Sequence, residues 1–206
     1  MKNRMKNILL YTLFRTLPGD YNKAIAKPRK GRGSRGLFFD FKNDIELSDE
    51  EYLIQELHEG REITIAVYVS YLNKKTHGFI AMERELENGA TVYCKVVTGF
   101  NDEINKIIDK IVINSDIVGS FNIQCIYSEK IKELIPFEIN CRISGTNSIR
   151  SSFGFNDVEY IVEELLFNNP LKKIEIQEGS AYRTLSDIIY LSNDINGNNK
   201  DNFKLF

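Results

Sequence analysis

Apolar and polar side chains alternate along several short stretches of the chain, a pattern typical of strands that bury one face. Strands are predicted at residues 23–27, 37–41, 51–57, 62–72, 78–84, 90–97, 171–176 and 181–191, and the arms of a hairpin at 119–127 and 134–143. Apolar residues at three- and four-residue spacing instead predict amphipathic helices over 101–114 and 157–167. Most of the predicted strands follow one another directly, with only two helices among them, and this order favours an α+β fold.

The order of these elements predicts two packed subdomains. Residues 1–20 are expected to form a helical or irregular leader, whose helical spacing of apolar residues stops at Pro18-Gly19. Residues 21–57 form a small β-rich subdomain that contains a glycine-rich loop, and residues 58–206 form a larger antiparallel sheet with flanking helices. The Asn- and Gly-rich stretch 192–200 is expected to be a loop.

Composition excludes some classes of partner. The chain has 206 residues, a formal net charge of -2 and 42% hydrophobic residues, so it can bury a core but presents no overall field for nucleic acid or an anionic membrane. Its apolar runs are much shorter than the roughly 20 residues that cross a bilayer. Three cysteines without metal-type spacing argue against a disulfide framework and favour a cytoplasmic location.

The second arm of the hairpin separates its side chains by chemistry. Glu138, Asn140 and Arg142 fall on one face of a strand over 134–143, whereas Phe137 and the other alternate residues fall on the opposite face. A sheet with one solvated face would show a similar alternation. A solvated strand, however, more typically carries Lys and Thr than this series.

The first arm supplies matching polar residues. If the hairpin closes symmetrically about Ile131, Gln124 lies opposite Glu138 and Asn122 lies opposite Asn140. Carboxylate and amide oxygens suit Mg²⁺, which takes one or two protein carboxylates and completes its shell with water and substrate phosphates. The hairpin is therefore a candidate cation site.

Two further segments have the chemistry of nucleotide binding. Lys27 and the basic loop 28–36 combine positive charges with glycines, which let backbone amides approach an anion. A flexible basic turn, or an arm that binds nucleic acid, would look alike. Residues 52–57 form a strand with a polar hinge that could hold adenine, and Glu62, two residues after Gly60, could bond ribose hydroxyls. Taken alone, this second segment is only a charged hairpin.

These three features, in this order, resemble the ATP-grasp superfamily, and most closely its branch near the carbamoyl-phosphate synthase large subunit and the pyrrolysine-biosynthesis ligase. The resemblance runs from about Ala24 to Tyr190. Residues 25–37 are similar to the family's lid strand and phosphate loop, and 54–62 to its adenine hinge and ribose carboxylate. Residues 119–124 and 137–146 are similar to its metal-binding strands, and 181–183 to its closing strand.

The resemblance implies a role for each matched residue. As catalytic residues, Lys27 would bind phosphate, Arg142 would contact phosphate or the developing acyl phosphate, and Arg84 would face substrate or phosphate. Gln124, Glu138 and Asn140 would bind Mg²⁺ or Mn²⁺. ATP would be held by Lys27, Arg29, Gly33, Ser34, Gln55, Glu56, Leu57 and Glu62.

The activity that follows is that of an ATP- and Mg²⁺-dependent ligase acting through an acyl phosphate. It would join a small-molecule carboxylate to an amine or a thiol, with no role for nucleic acid or membrane. Cys141 stands where the family commonly has Pro, and the interval from Gly36 to Gln55 is short. Few residues precede Lys27, so we expect a truncated or split enzyme, with a homodimer or a partner chain supplying the usual N-terminal region.

Two other functions are compatible with the sequence. A catalytically degenerate nucleotide-binding module that complements or regulates a partner chain would bind ATP without turnover. A nucleic-acid-binding protein would use Lys27 to Arg35, although the acidic balance and the absence of stacking aromatics in that loop count against it.

Overall fold

A computed structural model describes residues 24–30, 36–39, 51–87 and 90–184. The predicted leader, loop residues 31–35 and the stretch 192–200 lie outside these residues. Within them, the α+β fold class predicted from the sequence is confirmed by two antiparallel sheets and three helices.

The small sheet contains β1 (Ala24–Pro28), β2 (Phe38–Phe39) and β3 (Tyr52–Glu56), in the order β2-β1-β3. Ala24 and Ala26 are fully buried on one face, where they pack against Ile54. Residues directly opposite each other in paired strands share a face, and Lys27 lies opposite Leu53. Lys27 therefore belongs to the other face of this sheet.

The large sheet has six strands in the order β8-β7-β4-β5-β6-β9. They are β4 (Arg61–Val69), β5 (Thr76–Glu87), β6 (Ala90–Val96), β7 (Gly119–Ser128), β8 (Glu133–Asn140) and β9 (Ser180–Tyr182). All neighbouring strands are antiparallel. β4 is an interior strand and is buried on both faces, which explains its run of β-branched and aromatic residues.

Helix α1 (Asn101–Ile113) covers one face of the large sheet. Its buried side chains Ile104, Ile108 and Ile111 recur every three or four residues and pack against Ile65 and Val67 of β4. This helix confirms the amphipathic pattern predicted from residue 101 onwards.

The opposite face is apolar at one end and polar at the other. Its apolar end includes Tyr68 and Met82, and it is covered by Phe155 and Tyr160 from the region of α2 (Asn147–Ser152) and α3 (Asp157–Leu165). Its polar end carries Glu62, Thr64, Arg84, Asn122, Gln124, Glu138 and Asn140, by their cross-strand pairing. The candidate site residues of the large sheet thus share one end of one face.

The strand predicted at 171–176 is wrong, because residues 171–179 form no regular element. Leu171 and Ile174 instead pack onto the apolar end of the sheet, while β9 pairs with the edge of β6. A Cβ on Gly78 would lie 2.7 Å from Ile174 Cδ1, so this segment crosses close above β5. The apolar residues Leu171 and Ile174 of this segment therefore contact the sheet without forming a strand of it.

Several predicted boundaries also differ. The strand predicted to reach residue 72 ends at Val69, because Ser70 Oγ accepts hydrogen bonds from the backbone N–H groups of Leu72 and Asn73 and starts a turn. The strand predicted at 78–84 extends over Thr76–Glu87 and therefore includes His77. Helix α2 was not predicted, since a six-residue helix is too short to show a clear period. No helix among the described residues has the length and apolar character needed to cross a bilayer.

Candidate functional site

Strands β7 and β8 bring together the polar residues predicted to face each other. Gln124 pairs with Glu138 and Asn122 pairs with Asn140, as predicted. The symmetric closure about Ile131 is wrong, however, because Cys125 pairs with Pro136, and the register shifts by one residue at a β-bulge. Phe137 is the extra residue of this bulge, and such a residue is left unpaired in the ladder.

The donor set at this hairpin fits a hard divalent cation. Gln124 and Asn140 carry amide oxygens, and Glu138 carries an exposed carboxylate beside them. The Asn140 amide donates to Glu138 Oε1 at 2.7 Å, so the two side chains converge. One carboxylate and two amides leave room for water and phosphate oxygens, which Mg²⁺ commonly takes as further ligands. Asn122 is buried instead, and its Oδ1 accepts from Thr64 Oγ1 at 3.0 Å.

Lys27 reaches this hairpin from the small sheet. Its ammonium group lies 4.8 Å from the centre of the Phe137 ring and donates to the Phe137 carbonyl at 3.4 Å. Burial lowers the pKa of Lys27, while the nearby charge of Glu138 raises it. A partly desolvated cation beside a carboxylate is therefore held where the two sheets meet.

Gln55 lies on the same face of the small sheet as Lys27, because it pairs with Ile25, two residues before Lys27. It is only 6% exposed, and its Oε1 has no hydrogen-bond partner among the described residues. A buried acceptor without a donor is costly, so a ligand donor at this place would be favourable. Glu56 is the last residue of β3, and Leu57 follows it. Glu56 is exposed, and its Oε2 lies 3.6 Å from His58 Nε2.

Glu62 and Arg84 form a cross-strand pair on β4 and β5. The Arg84 guanidinium donates to Glu62 Oε1 through Nε, at 2.7 Å, and also through a terminal nitrogen. Gly60 allows the preceding turn to approach β7, since a Cβ there would lie 2.0 Å from the Tyr127 carbonyl oxygen. Arg84, predicted to face substrate or phosphate, is thus directed at the predicted ribose carboxylate.

Arg142 is not on the strand that was predicted to carry it. β8 ends at Asn140, where the Arg142 backbone N–H donates to the Asn140 carbonyl at 2.9 Å and turns the chain. Arg142 is exposed in the following loop, and its guanidinium donates to the Ile143 carbonyl at 3.3 Å. Arg29 is exposed after β1, with its N–H on the Glu51 carbonyl at 2.7 Å. Gly33 and Ser34 lie outside the described residues.

Phe137 was missed as a site residue because strict alternation assigns it to the face opposite Glu138. Phe137 lies at the bulge, where its carbonyl and ring contact Lys27. Pro136 was the available signal, since Pro within a sheet is confined to edge strands and bulges, and β8 is an edge strand.

Solved structures with a similar fold are enzymes that bind adenine nucleotides. N5-carboxyaminoimidazole synthetase from Staphylococcus aureus, solved with ADP, superposes with a TM-score of 0.64 at 17% identity and covers 83% of this chain and 46% of its own. The carboxyaminoimidazole ribonucleotide synthase of Aspergillus clavatus, solved with ATP, gives a TM-score of 0.60 at 15% identity, covering 84% and 46%. The biotin carboxylase of Campylobacter jejuni, in an ATP-analogue complex, gives 0.62 at 11%, covering 87% and 49%.

This chain therefore spans less than half the length of these structures. A comparison with curated protein sequences found no match. The family model described as an ATP-grasp domain matches residues 12–146, about two thirds of the chain. With this match and the shared fold, the chain belongs to the ATP-grasp family.

Proposed function

We propose that this protein binds ATP with Mg²⁺ between its two sheets and uses it to activate a small-molecule carboxylate for attack by an amine or a thiol. The meeting of Lys27 with Phe137 and Glu138 carries the proposal. It brings the predicted phosphate lysine to the predicted metal-binding hairpin, although the two are more than one hundred residues apart in the chain.

Each part of the site would have one task. Lys27 and Arg142 would hold phosphate oxygens, and Gln55 Oε1, which has no partner among the described residues, would accept from the adenine amino group. Glu62, oriented by Arg84, would bond ribose hydroxyls. Gln124, Glu138 and Asn140 would hold Mg²⁺, which when bound offsets phosphate charge during phosphoryl transfer.

In the proposed reaction, a substrate carboxylate oxygen bonds to the terminal phosphorus of ATP, and ADP leaves. The nucleophile then displaces phosphate from the acyl phosphate and gives up its proton. Lys27 and Arg142 would stabilise the charge on the transferred group. The homodimer or partner chain expected from the sequence stays a prediction.

The first test is calorimetric titration of ATP, with and without Mg²⁺, into the native chain and Glu138→Ala. We expect Mg²⁺-dependent binding that the variant weakens by about a hundredfold, since loss of a charged ligand costs roughly 3 kcal/mol. Glu133→Ala is the matched control, because Glu133 is an exposed carboxylate at the start of the same strand.

Absence of ATP binding to the native chain would contradict the proposal. Equal losses in Glu133→Ala and Glu138→Ala would remove the hairpin from the site. Binding without phosphate release in the presence of carboxylate and amine mixtures would favour the degenerate nucleotide-binding module instead.

A further inference from the structure

Two charged side chains are completely buried beneath the loop that carries Arg142. Arg150 and Asp157 are both 0% exposed and form an ion pair through Arg150 Nη2 and Asp157 Oδ2. Arg150 lies in α2, and Asp157 is the first residue of α3. Such a pair is weak support for stability, because the desolvation of both charges offsets much of their attraction. Further hydrogen bonds to both side chains, in contrast, fix the geometry of the pair.

Asp157 connects this pair to the strand β7. Its Oδ2 also accepts from Ser120 Oγ, and its Oδ1 accepts from Asn147 Nδ2 at 2.7 Å. Ser120 lies two residues before Asn122, on the same face of the strand. The carboxylate therefore has three donors and ties β7 to the start of α2.

Arg150 connects the pair to the loop after β8. Its Nη1 donates to Ser144 Oγ at 2.8 Å, and Ser144 Oγ also lies 2.8 Å from the Thr146 hydroxyl. Ser144 lies only two residues beyond Arg142, which is itself exposed and beyond the last ladder pair at Asn140. The Arg150 bond thus anchors a loop that the sheet no longer holds.

We propose that Arg150 and Asp157 are positioning residues that lock the loop 141–146 against β7, and so hold Arg142 at the phosphate end of the site. This inference rests on the proposed function. Neither residue touches nucleotide. They act through Ser144 and Ser120, which are the points where the buried pair meets the two site segments.

The test uses Ser144→Ala, which removes the anchor but leaves the buried charges paired. Affinities for ATP and for adenosine are measured in Mg²⁺, the first by calorimetry and the second by NMR titration. We expect about tenfold weaker binding of ATP and unchanged binding of adenosine, because adenosine has no phosphate for Arg142 to contact. Ser152→Ala is the control, since its hydroxyl bonds the Ser148 carbonyl on the exposed side of the same helix.

Arg150→Lys provides a second variant that keeps the charge but loses the planar fork that reaches Ser144 and Asp157 together. It should show the same selective loss as Ser144→Ala. If native protein binds ATP and both variants match it, the positioning role is wrong and the proposed function survives. An equal loss for ATP and adenosine would indicate a structural role and also overturn the inference. If native protein binds no ATP, both fail.

Discussion

Lys27 lies in one sheet and Phe137 and Glu138 in another, yet burial and charge act on its ammonium group together. Burial lowers its pKa from the ordinary value of 10.5, and the charge of Glu138 opposes that shift. Only a protonated Lys27 can attract phosphate oxygens. The affinity of the protein for ATP should therefore change with pH as Lys27 titrates.

We predict that ATP binding weakens as pH rises through the lowered pKa of Lys27, at a pH below 10.5. The sign follows because the protonated form binds the anion and the neutral form does not. Lys27→Arg should bind with an affinity that stays flat over that alkaline range, since Arg remains charged. Parallel pH profiles for the two proteins, measured by calorimetry, would contradict a phosphate contact by Lys27.

A second prediction concerns the pair of Glu62 and Arg84. If Glu62 bonds the ribose, native protein should prefer ATP to 2′,3′-dideoxy-ATP, and Glu62→Ala should abolish that preference, a loss of about 2 kcal/mol. Arg84→Met should lose part of it, because Glu62 is then no longer held at Oε1. Glu83→Ala is the control, since Glu83 lies on the other face of β5 and pairs with Arg61. A preference retained in Glu62→Ala would rule out the ribose contact.

The β7–β8 hairpin combines a regular register with one irregularity. The pairs on both sides of the bulge keep apolar residues on the core face, while the site face carries Gln124 and Glu138 on one side of the bulge and the apolar pair of Ile126 with Ile135 on the other. Phe137 is added between them without disturbing either set. The bulge therefore serves to present a backbone carbonyl and an aromatic face to Lys27.

Deleting Phe137 tests this interpretation of the hairpin. The flanking pairs of Gln124 with Glu138 and Cys125 with Pro136 would become continuous, so the sheet should fold with little loss of stability in urea. ATP affinity should fall by about tenfold, because Lys27 loses its carbonyl and ring contacts. Phe137→Leu keeps the bulge and its carbonyl and should lose less. A deletion variant that unfolds would show that the bulge is needed for pairing.

The helix α3 depends on its cap as well as on its apolar side. Asn156 Oδ1 accepts from the Glu159 backbone N–H at 3.3 Å, which satisfies one of the free donors of the first turn. Asn156→Ala should lower the free energy of unfolding by about 1 kcal/mol, measured by urea denaturation, and Asn156→Asp should preserve it. Equal stabilities of all three proteins would mean that water bonds the Glu159 N–H as well as Asn156 does, and would contradict the prediction.

Across the whole molecule, His77 joins elements that are far apart in the chain. Its ring packs edge-on against Tyr160 at 5.2 Å and Tyr68 at 6.4 Å, and its Nε2 is buried without a partner among the described residues. Burial lowers its pKa, although a hydrogen bond with the Lys172 backbone and the charge of Glu164 raise it. The folded protein therefore favours neutral His77.

We predict that protein stability falls as pH drops below the ordinary His pKa of 6.5 towards the lower pKa of folded His77. The sign follows because the unfolded chain binds the proton more readily, so protonation favours unfolding. His77→Phe should flatten this slope in urea midpoints measured across the range. His58→Phe is the control for the only other histidine of the chain. A native slope that survives in His77→Phe would assign the titration elsewhere.

Local patterns were enough to predict many of the strands, the helix α1 and the two polar pairs of the hairpin, because side-chain alternation and helical spacing are properties of neighbouring residues. The resemblance of three sequence segments to the ATP-grasp superfamily also indicated the family, which the family model confirms. The roles of Lys27, Glu62 and Glu138 stay predictions. The path of residues 171–179 and the end of β8 could not be predicted, since packing and hydrogen bonding with distant segments decide them.

The contacts that complete the site belong to the tertiary structure alone. Lys27 meets Phe137 where the two sheets approach each other, and Phe137 is the extra residue of the bulge. Arg150 and Asp157 pair across the turn between α2 and α3, and the bond from Ser120 to Asp157 joins that pair to the sheet. Periodicity in the sequence specifies which face a side chain occupies. Which distant face it then contacts depends on the packing of surfaces that the chain brings together when it folds.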